Sequence, residues 1–139
     1  MLPGSPIEKT APYGMSSLAL AHVGDAVYEL LVRARLAALL RTANKLHAST
    51  VRLVCAQAQA QAAQAIMASL TEREKDVFMH ARNAQVHHVP HGATPAQYAL
   101  ATALEALFGF LYLNGEEARI EALFSMCWTA SQAQDCPNG

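Results

Sequence analysis

The sequence predicts an all-α fold, and three observations support that prediction. Apolar residues make up 53% of the 139 residues, and most recur three or four positions apart, as on one face of a helix. Residue types that begin or end helices lie between these stretches. In no segment does a strand pattern outweigh the helical one. The length and the 15% of charged residues further indicate one compact domain and exclude a disordered chain.

The first two helices follow from the N-terminal half of the chain. Ser17 can cap a helix that continues to about Leu40, with apolar residues at helical spacing. Asn44 can cap a second helix, from Lys45 to about Ser69. The stretch AQAQAQAAQA within it alternates as a strand would, but alanine and glutamine are both good helix formers, so we expect helix throughout.

The third helix opens with a capping box, because Thr71 is followed three residues later by Glu74. We expect this helix to end near Asn83. The next residues, QVHHVPHGATP, include proline and glycine and predict a loop. The histidines of this loop form an H-H-x-x-H pattern. A zinc site is one interpretation of the pattern, but the proline prevents a helix from aligning the three imidazoles.

The fourth helix begins with Thr94 as its cap and Pro95 in its first turn. It ends at Asn114-Gly115, because glycine readily adopts the left-handed conformation that follows a helix. A fifth amphipathic helix is expected over about 116–130. These five helices define a domain over residues 17–130, between a proline- and glycine-containing lead-in of residues 1–16 and a polar tail of residues 131–139.

The compartment is expected to be the cytoplasm. The longest apolar run, residues 98–113, is shorter than the roughly 20 residues that span a bilayer, so we expect a buried helix and no membrane partner. The N-terminus lacks the basic and apolar pattern of a secretory signal. The cysteines, Cys55, Cys127 and Cys136, form no CxxC pair, which argues against a disulfide framework or a zinc knuckle.

The distribution of charge predicts a basic surface despite a net charge of −1. No acid occurs between Leu30 and Leu70, and the basic residues of this segment are Arg33, Arg35, Arg41, Lys45 and Arg52. Such a cluster can bind the phosphates of a polyanion. The alternative is that these side chains only solvate helix faces.

Two isolated acids are the main candidates for chemistry. Asp25 is the one charged residue between residues 10 and 28, and Glu105 is the one charged residue between residues 92 and 115. Because an unpaired buried carboxylate is costly, we expect the two acids to share a cation, most simply Mg²⁺ completed by water and phosphate oxygens. Such an ion supports phosphodiester hydrolysis. The alternative is that both acids bond to backbone amides or to arginines such as Arg82.

The residues around both acids resemble the ribonuclease III family. The segment Gly24-Asp25-Ala26-Val27 is similar to the family's signature helix, which carries a metal-binding aspartate. The segment Glu105-Ala106-Leu107-Phe108-Gly109 is similar to its second catalytic segment. The intervening NKLHASTVRLVCAQAQA and ARNAQ resemble the short Mini-ribonuclease III subfamily. Together these segments extend from residue 17 to about residue 128.

The resemblance implies a homodimeric, all-helical endonuclease domain that cleaves double-stranded RNA with Mg²⁺ and leaves 5′-phosphate and 3′-hydroxyl ends. Asp25 and Glu105 are the implied catalytic residues and metal ligands. The implied substrate is the precursor of 23S ribosomal RNA, with a large-subunit ribosomal protein or a pre-ribosomal particle as a further candidate partner. No cofactor besides Mg²⁺ and no appended double-stranded-RNA-binding domain are implied.

Further site residues are weaker candidates. By resemblance, Arg82 and Asn83 approach the active site, where an arginine could hold a phosphate. Glu29 could orient a metal-bound water or form a surface ion pair with Arg33. The residues expected to contact RNA are Arg82, Asn83, Arg33, Arg52 and Lys45. The glutamines Gln57, Gln59, Gln61 and Gln64 could reach 2′-hydroxyls, although a solvated helix face is the simpler expectation.

Two features of the sequence bear on the number of metals and on assembly. Full-length family members carry further acids where this chain has Ala21 and Thr102, so a second tightly held metal is not expected. The signature helix has bulky residues on more than one face, namely Val23, Val27, Leu30 and Leu31. We therefore expect a dimer interface along this helix, close to Asp25.

The competing class of function is a non-catalytic RNA-binding or ribosome-assembly factor that retains the ribonuclease III fold. The modest net charge and the sparse acids favour it. A small metal-binding protein built on the histidine loop is a third interpretation, which predicts bound zinc and no affinity for RNA.

Overall fold

The computed structural model describes residues 11–84 and 88–133, and within these ranges the regular structure is entirely helical. The α-helices are α1 (Ser17–Leu39), α2 (Ala43–Val54), α3 (Ala56–Ile66), α4 (Glu72–Arg82), α5 (Pro95–Leu113) and α6 (Glu117–Ala133). Short 3₁₀ turns occupy Ala11–Gly14 and Met67–Ser69. The all-α prediction is confirmed. Much of the expected lead-in and tail lies outside the described residues.

Helix α5 is the centre of the fold, and α1, α3, α4 and α6 all pack against it. Its buried side chains come from every face of the helix, among them Leu104, Leu107, Phe108 and Leu111, which are fully buried. By length and composition alone α5 could cross a membrane, but 67% of its apolar window is covered by the rest of the fold. This helix is therefore the core element that the sequence predicts.

Helices α1 and α5 touch through their backbones at two glycines. A Cβ atom built on Gly24 would lie 1.5 Å from the carbonyl oxygen of Glu105, and one built on Gly109 would lie 2.0 Å from the carbonyl oxygen of Leu20. Neither distance is compatible with a side chain, and in each case the obstacle is backbone. The two helices can approach this closely only because both positions are glycine.

Three of the expected helix ends are confirmed. Thr71 and Glu74 form the expected capping box at the start of α4, and Thr94 forms another with Gln97 at the start of α5. Gly115 follows α5 with φ +74°, in the left-handed region. The cap of α1 differs by one residue, because the Ser16 hydroxyl accepts from the Ala19 N–H at 3.1 Å. Ser17 is the first helical residue instead.

The single helix expected from Lys45 to Ser69 is wrong, because it is divided at Cys55. This residue has an extended backbone, with φ −66° and ψ 159°, and it separates α2 from α3. Thr42, not Asn44, caps α2. The break lets α3 turn its own buried face toward α5 while α2 lies against α1. Residues 43–66 contain neither proline nor glycine, so the sequence carries no local signal for the break.

A buried ion pair connects α4 to α6. The Arg119 guanidinium donates to both carboxylate oxygens of Glu74, at 2.8 and 2.9 Å. Burial opposes ionisation of Glu74, but the hydrogen bonds from Arg119 and from the Thr71 N–H outweigh it and lower the pKa of Glu74. The same arginine donates to the Ser69 carbonyl at 2.6 Å. This carboxylate is thus fully paired within the fold.

The glycine contact predicts that adding even one methyl group at Gly24 or Gly109 lowers the stability of the fold. Gly24→Ala and Gly109→Ala should each destabilise the protein by at least about 3 kcal/mol, the upper end of the usual cost of overpacking, because the backbones must separate. Urea unfolding monitored by circular dichroism measures the change. Gly14→Ala is the matched control, since a Cβ there meets nothing within 4 Å. Equal stability of Gly24→Ala and Gly14→Ala would contradict the close contact.

Candidate active site

The glycine contact brings Asp25 and Glu105 together. Asp25 directly follows Gly24 on α1, and Glu105 lies one turn before Gly109 on α5. The two side chains lie close enough together to interact, and the charge of Asp25 makes ionisation of Glu105 less favourable.

Glu105 holds its proton more tightly than an ordinary glutamic acid. Burial, followed by the hydrogen bond and negative charge of Asp25, raises the pKa of Glu105 to about 8, and an interaction with Gln59 opposes this rise. None of the groups that set this pKa is an arginine or a lysine. The arrangement contrasts with that of Glu74, whose charge Arg119 neutralises.

The two acids differ in their exposure. Asp25 is exposed, whereas Glu105 is partly buried. The expectation that both are buried is therefore wrong for Asp25. Its position in the helix places its side chain beside α5 but on the outer surface, so the pair has one recessed and one solvent-facing carboxyl. A ligand in solvent can reach Asp25 and contact Glu105 behind it.

This pair fits a divalent cation held by oxygen ligands. A divalent cation would neutralise both carboxylates, and no salt bridge to either acid is found among the described residues. In residues 11–84 and 88–133 no three histidine, cysteine, aspartate or glutamate side chains lie close enough together to hold a metal ion. Two protein carboxylates, completed by water and substrate oxygens, suit Mg²⁺ better than zinc.

Ala21 and Thr102, which precede the two acids on α1 and α5, add no charge to the site. Both are buried, with 8% and 3% of their surface exposed. The side chains described beside Glu105 thus offer the two carboxylates and one amide, that of Gln59.

The predicted basic surface is partly engaged within the chain itself. Arg33 forms an ion pair with Glu29 at 3.3 Å, and both side chains are exposed. Arg35 lies over the rings of Phe124 and Trp128, with its guanidinium carbon 5.5 and 5.1 Å from the two centroids. Arg35 therefore packs on its own domain and is a poorer candidate for RNA contact than Arg33.

The remaining candidates for RNA contact lie on the surface. Lys45 and Arg52 are exposed on α2, and Arg82 and Asn83 are exposed at the end of α4. Asn83 caps that helix, and its N–H donates to the Met79 carbonyl at 3.0 Å. Neither Arg82 nor Asn83 is among the groups that set the pKa of Glu105. His88 and His91 of the histidine loop are exposed, and His87 lies outside the described residues.

The sequence predicts an RNA-facing or solvated side chain for Gln59 and does not identify it as a neighbour of Glu105. Three of the four glutamines, Gln57, Gln61 and Gln64, are exposed as expected, but Gln59 is only 3% exposed and lies against Glu105. Its helical neighbours Ala60, Ala63 and Ile66 are also buried. The spacing of three and four residues among these positions indicates one buried helix face that includes Gln59. The regular alternation of alanine and glutamine in the sequence hides this spacing.

Comparisons with known proteins agree with this geometry. The Ribonuclease III domain family matches residues 18–116. A Mini-ribonuclease 3 from Symbiobacterium thermophilum is 45% identical over 111 residues, which cover 78% of this chain and 85% of that protein. A Mini-ribonuclease 3 from Enterococcus faecalis is 40% identical over 116 residues, which cover 81% of this chain and 88% of that protein. A crystal structure of a Fusobacterium nucleatum protein has a TM-score of 0.77 at 29% identity and covers 85% of this chain and 95% of that one.

The proton on Glu105 predicts an unusual dependence of stability on pH. Its pKa is about 8 in the folded protein against 4.5 as an ordinary side chain, so the folded state binds more protons between these values. The contribution of Glu105 to stability is therefore greatest below about pH 4.5 and is lost as the pH rises to 8. In metal-free buffer, Glu105→Gln should become more stable relative to wild type as the pH rises.

Urea midpoints at several pH values, measured with a chelator present, test this expectation. Glu121→Gln, which removes an exposed acid of α6, is the matched control and should follow wild type. Parallel curves for wild type and Glu105→Gln would show that Glu105 ionises normally.

Proposed function

The chain belongs to the ribonuclease III family, whose members are endoribonucleases, and we propose that it cleaves double-stranded RNA with Mg²⁺. The observation that carries this proposal is the pair of carboxyl groups, Asp25 and Glu105, held together by the glycine contact between α1 and α5. Both acids lie in the segments that resemble the family's catalytic motifs. The curated relatives named Mini-ribonuclease 3 cover most of the chain and support the same activity.

Asp25 and Glu105 would hold the metal ion together. When bound, Mg²⁺ positions the scissile phosphate, lowers the pKa of an attacking water and stabilises the leaving 3′ oxygen. Glu105 would have to lose its proton to act as a ligand, and the backbone contact between α1 and α5 would keep its carboxylate close to that of Asp25. Water attack with departure of the 3′ oxygen leaves 5′-phosphate and 3′-hydroxyl ends.

The proposed natural substrate is a double-stranded stem in the precursor of 23S ribosomal RNA. The similarity to proteins named Mini-ribonuclease 3 supports this choice. A large-subunit ribosomal protein or the pre-ribosomal particle is the proposed further partner. We place the reaction in the cytoplasm, and the free thiols of Cys55 and Cys127 are consistent with a reducing compartment.

The activity predicts that each acid is essential. Asp25→Asn and Glu105→Gln should each lower the cleavage rate by at least about 100-fold, as is usual when one charged group of an active site is removed. Neither change should unfold the protein, because each amide replaces an acid of the same shape. Cleavage of a long RNA duplex and of a duplex containing the precursor stem, each with and without Mg²⁺, measures the effect.

Glu121→Gln again serves as the control and should cut as wild type does. If the protein cuts the long duplex with Mg²⁺ but does not cut the precursor stem, the proposed natural substrate is wrong. The proposed cleavage of double-stranded RNA would still stand. If wild type binds both duplexes without cutting either, the protein is a non-catalytic RNA-binding factor.

RNA phosphates are the proposed partners of Arg33, Lys45, Arg52, Arg82 and Asn83. The exposure of all five side chains supports this role. Neutralising Arg33, Lys45 and Arg82 together should weaken binding to any duplex. It should also reduce the slope of log affinity against log salt concentration by about 0.9 for each phosphate that the protein no longer neutralises.

Salt titrations of duplex binding in a chelator give these slopes. Lys75→Gln, at an exposed position near the start of α4, is the control. Identical slopes for wild type and the triple variant would assign these side chains to surface solvation alone.

We propose that the active form is a homodimer formed along α1. The helix presents an exposed and mostly apolar stripe at a spacing of four residues, made of Leu18, His22, Ala26, Leu30 and Ala34. Leu18 is 56% and Leu30 is 46% exposed. The expected interface needs correction, because Val27 points into its own core and is only 6% exposed, and Val23 and Leu31 are partly buried against that core. The stripe passes beside Asp25, so two sites would lie near the two-fold axis.

Dimerisation predicts a mass of twice 14.9 kDa at micromolar concentration. Leu30→Asp should yield a folded monomer that no longer makes paired cuts, because it places a charge in the apolar stripe. Light scattering and the lengths of the cleavage products measure the two effects. Val51→Asp, at a 52% exposed position on α2, should leave the dimer intact. A wild-type monomer that makes paired cuts would refute the interface.

A further inference from the structure

We propose that Gln59 is a positioning residue that orients the Glu105 carboxylate for a divalent cation. This inference rests on the proposed function, since it assigns a task to the same site. Gln59 belongs to α3, a helix that carries neither of the two acids. The metal site would therefore depend on three helices, α1, α3 and α5.

The first observation is the burial of a polar side chain among apolar neighbours. Gln59 is 3% exposed, and Ala60, Ala63 and Ile66 on the same helix are 4%, 0% and 0% exposed. A side chain so enclosed cannot reach RNA. Any role of the Gln59 side chain must therefore be exerted through a neighbouring group of the protein.

The second observation is an unused hydrogen-bond donor. Within the described residues, the Gln59 Nε2 atom is the one fully buried side-chain nitrogen or oxygen without a hydrogen-bond partner. Burying such a group without a partner is unfavourable, and native proteins rarely do so without a functional reason. An amide nitrogen can only donate, so the missing partner must be an acceptor.

The third observation identifies that acceptor. Helix α3 packs on α5, and the Gln59 side chain lies beside that of Glu105. A carboxylate oxygen has more than one lone pair, so an oxygen of Glu105 that faces a cation can also accept from Nε2. The amide would then fix the orientation of Glu105 from behind.

Another glutamine of α3 has a different role and shows that the assignment is specific. Gln57 is exposed, and its amide donates to the Gly92 carbonyl at 3.2 Å, which attaches α3 to the loop before α5. Gln57, which faces outward and holds a loop, is thus two positions from Gln59, which faces inward toward Glu105. Gln61, one turn after Gln57, is also exposed. It is not among the groups that set the pKa of Glu105.

The test compares Gln59→Leu and Gln59→Met with Gln61→Leu. Both Gln59 variants keep a side chain of similar size, and the second is available if the first does not fold. Calorimetric titration of Mg²⁺ into RNA-free protein should show affinity weakened by about 10- to 100-fold for the Gln59 variants, the usual effect of losing a group that orients a metal ligand. Gln61→Leu should bind Mg²⁺ as wild type does.

Kinetics separate a positioning role from simple packing. In the Gln59 variants the Mg²⁺ concentration that gives half-maximal cleavage should rise by the same factor, while KM for the duplex stays unchanged and high Mg²⁺ restores cleavage. A folded Gln59→Leu or Gln59→Met variant with wild-type Mg²⁺ affinity would overturn the inference alone. Wild-type protein that neither binds Mg²⁺ nor cleaves RNA would overturn the proposed function and this inference with it.

Discussion

The contact between the backbones of α1 and α5 at Gly24 and Gly109 is the constraint on which the rest of the structure depends. It sets the distance between two helices that carry one acid each. A side chain at either glycine would push the helices apart and separate the acids. The apolar character of α5 follows from the same geometry, because a helix approached this closely on one side and covered on the others has almost no surface for polar residues. Glu105 is the one charged residue of α5, and it lies one turn before Gly109 of the contact.

Glu74 and Glu105, both at least partly buried, differ in whether a basic side chain lies beside them. Glu74 is neutralised by Arg119, and its role is to connect helices. Among the described residues no cationic side chain lies beside Glu105, and burial and the neighbouring Asp25 raise its pKa. An acid already paired with an arginine is a poor metal ligand, whereas an acid without such a partner is stabilised by a bound cation. The presence or absence of a nearby guanidinium thus distinguishes the structural acid from the proposed metal ligand.

Much of the fold could be predicted from local sequence signals. The capping residues Thr71 and Thr94 act within one turn of chain, and their effects are visible in the sequence alone. The paired acids were also predictable, since charges in apolar helices stand out. The break at Cys55 was not, because it is imposed by packing of α3 on α5 and not by a helix-breaking residue. The exposure of Asp25 and the burial of Gln59 depend on which helix face another helix covers, and that information is tertiary.

The sequence separation of the two glycines has a consequence for the order in which the protein matures. Gly24 and Gly109 are 85 residues apart in the chain, so their contact is among the least local in the domain. A contact across so long a stretch of chain carries a large loop-closure entropy cost, which slows folding. A nascent chain can form α1 early, but it cannot assemble the acid pair until α5 has been synthesised and released from the ribosome. The proposed catalytic pair is therefore incomplete throughout most of the protein's own synthesis, when the chain is surrounded by ribosomal RNA.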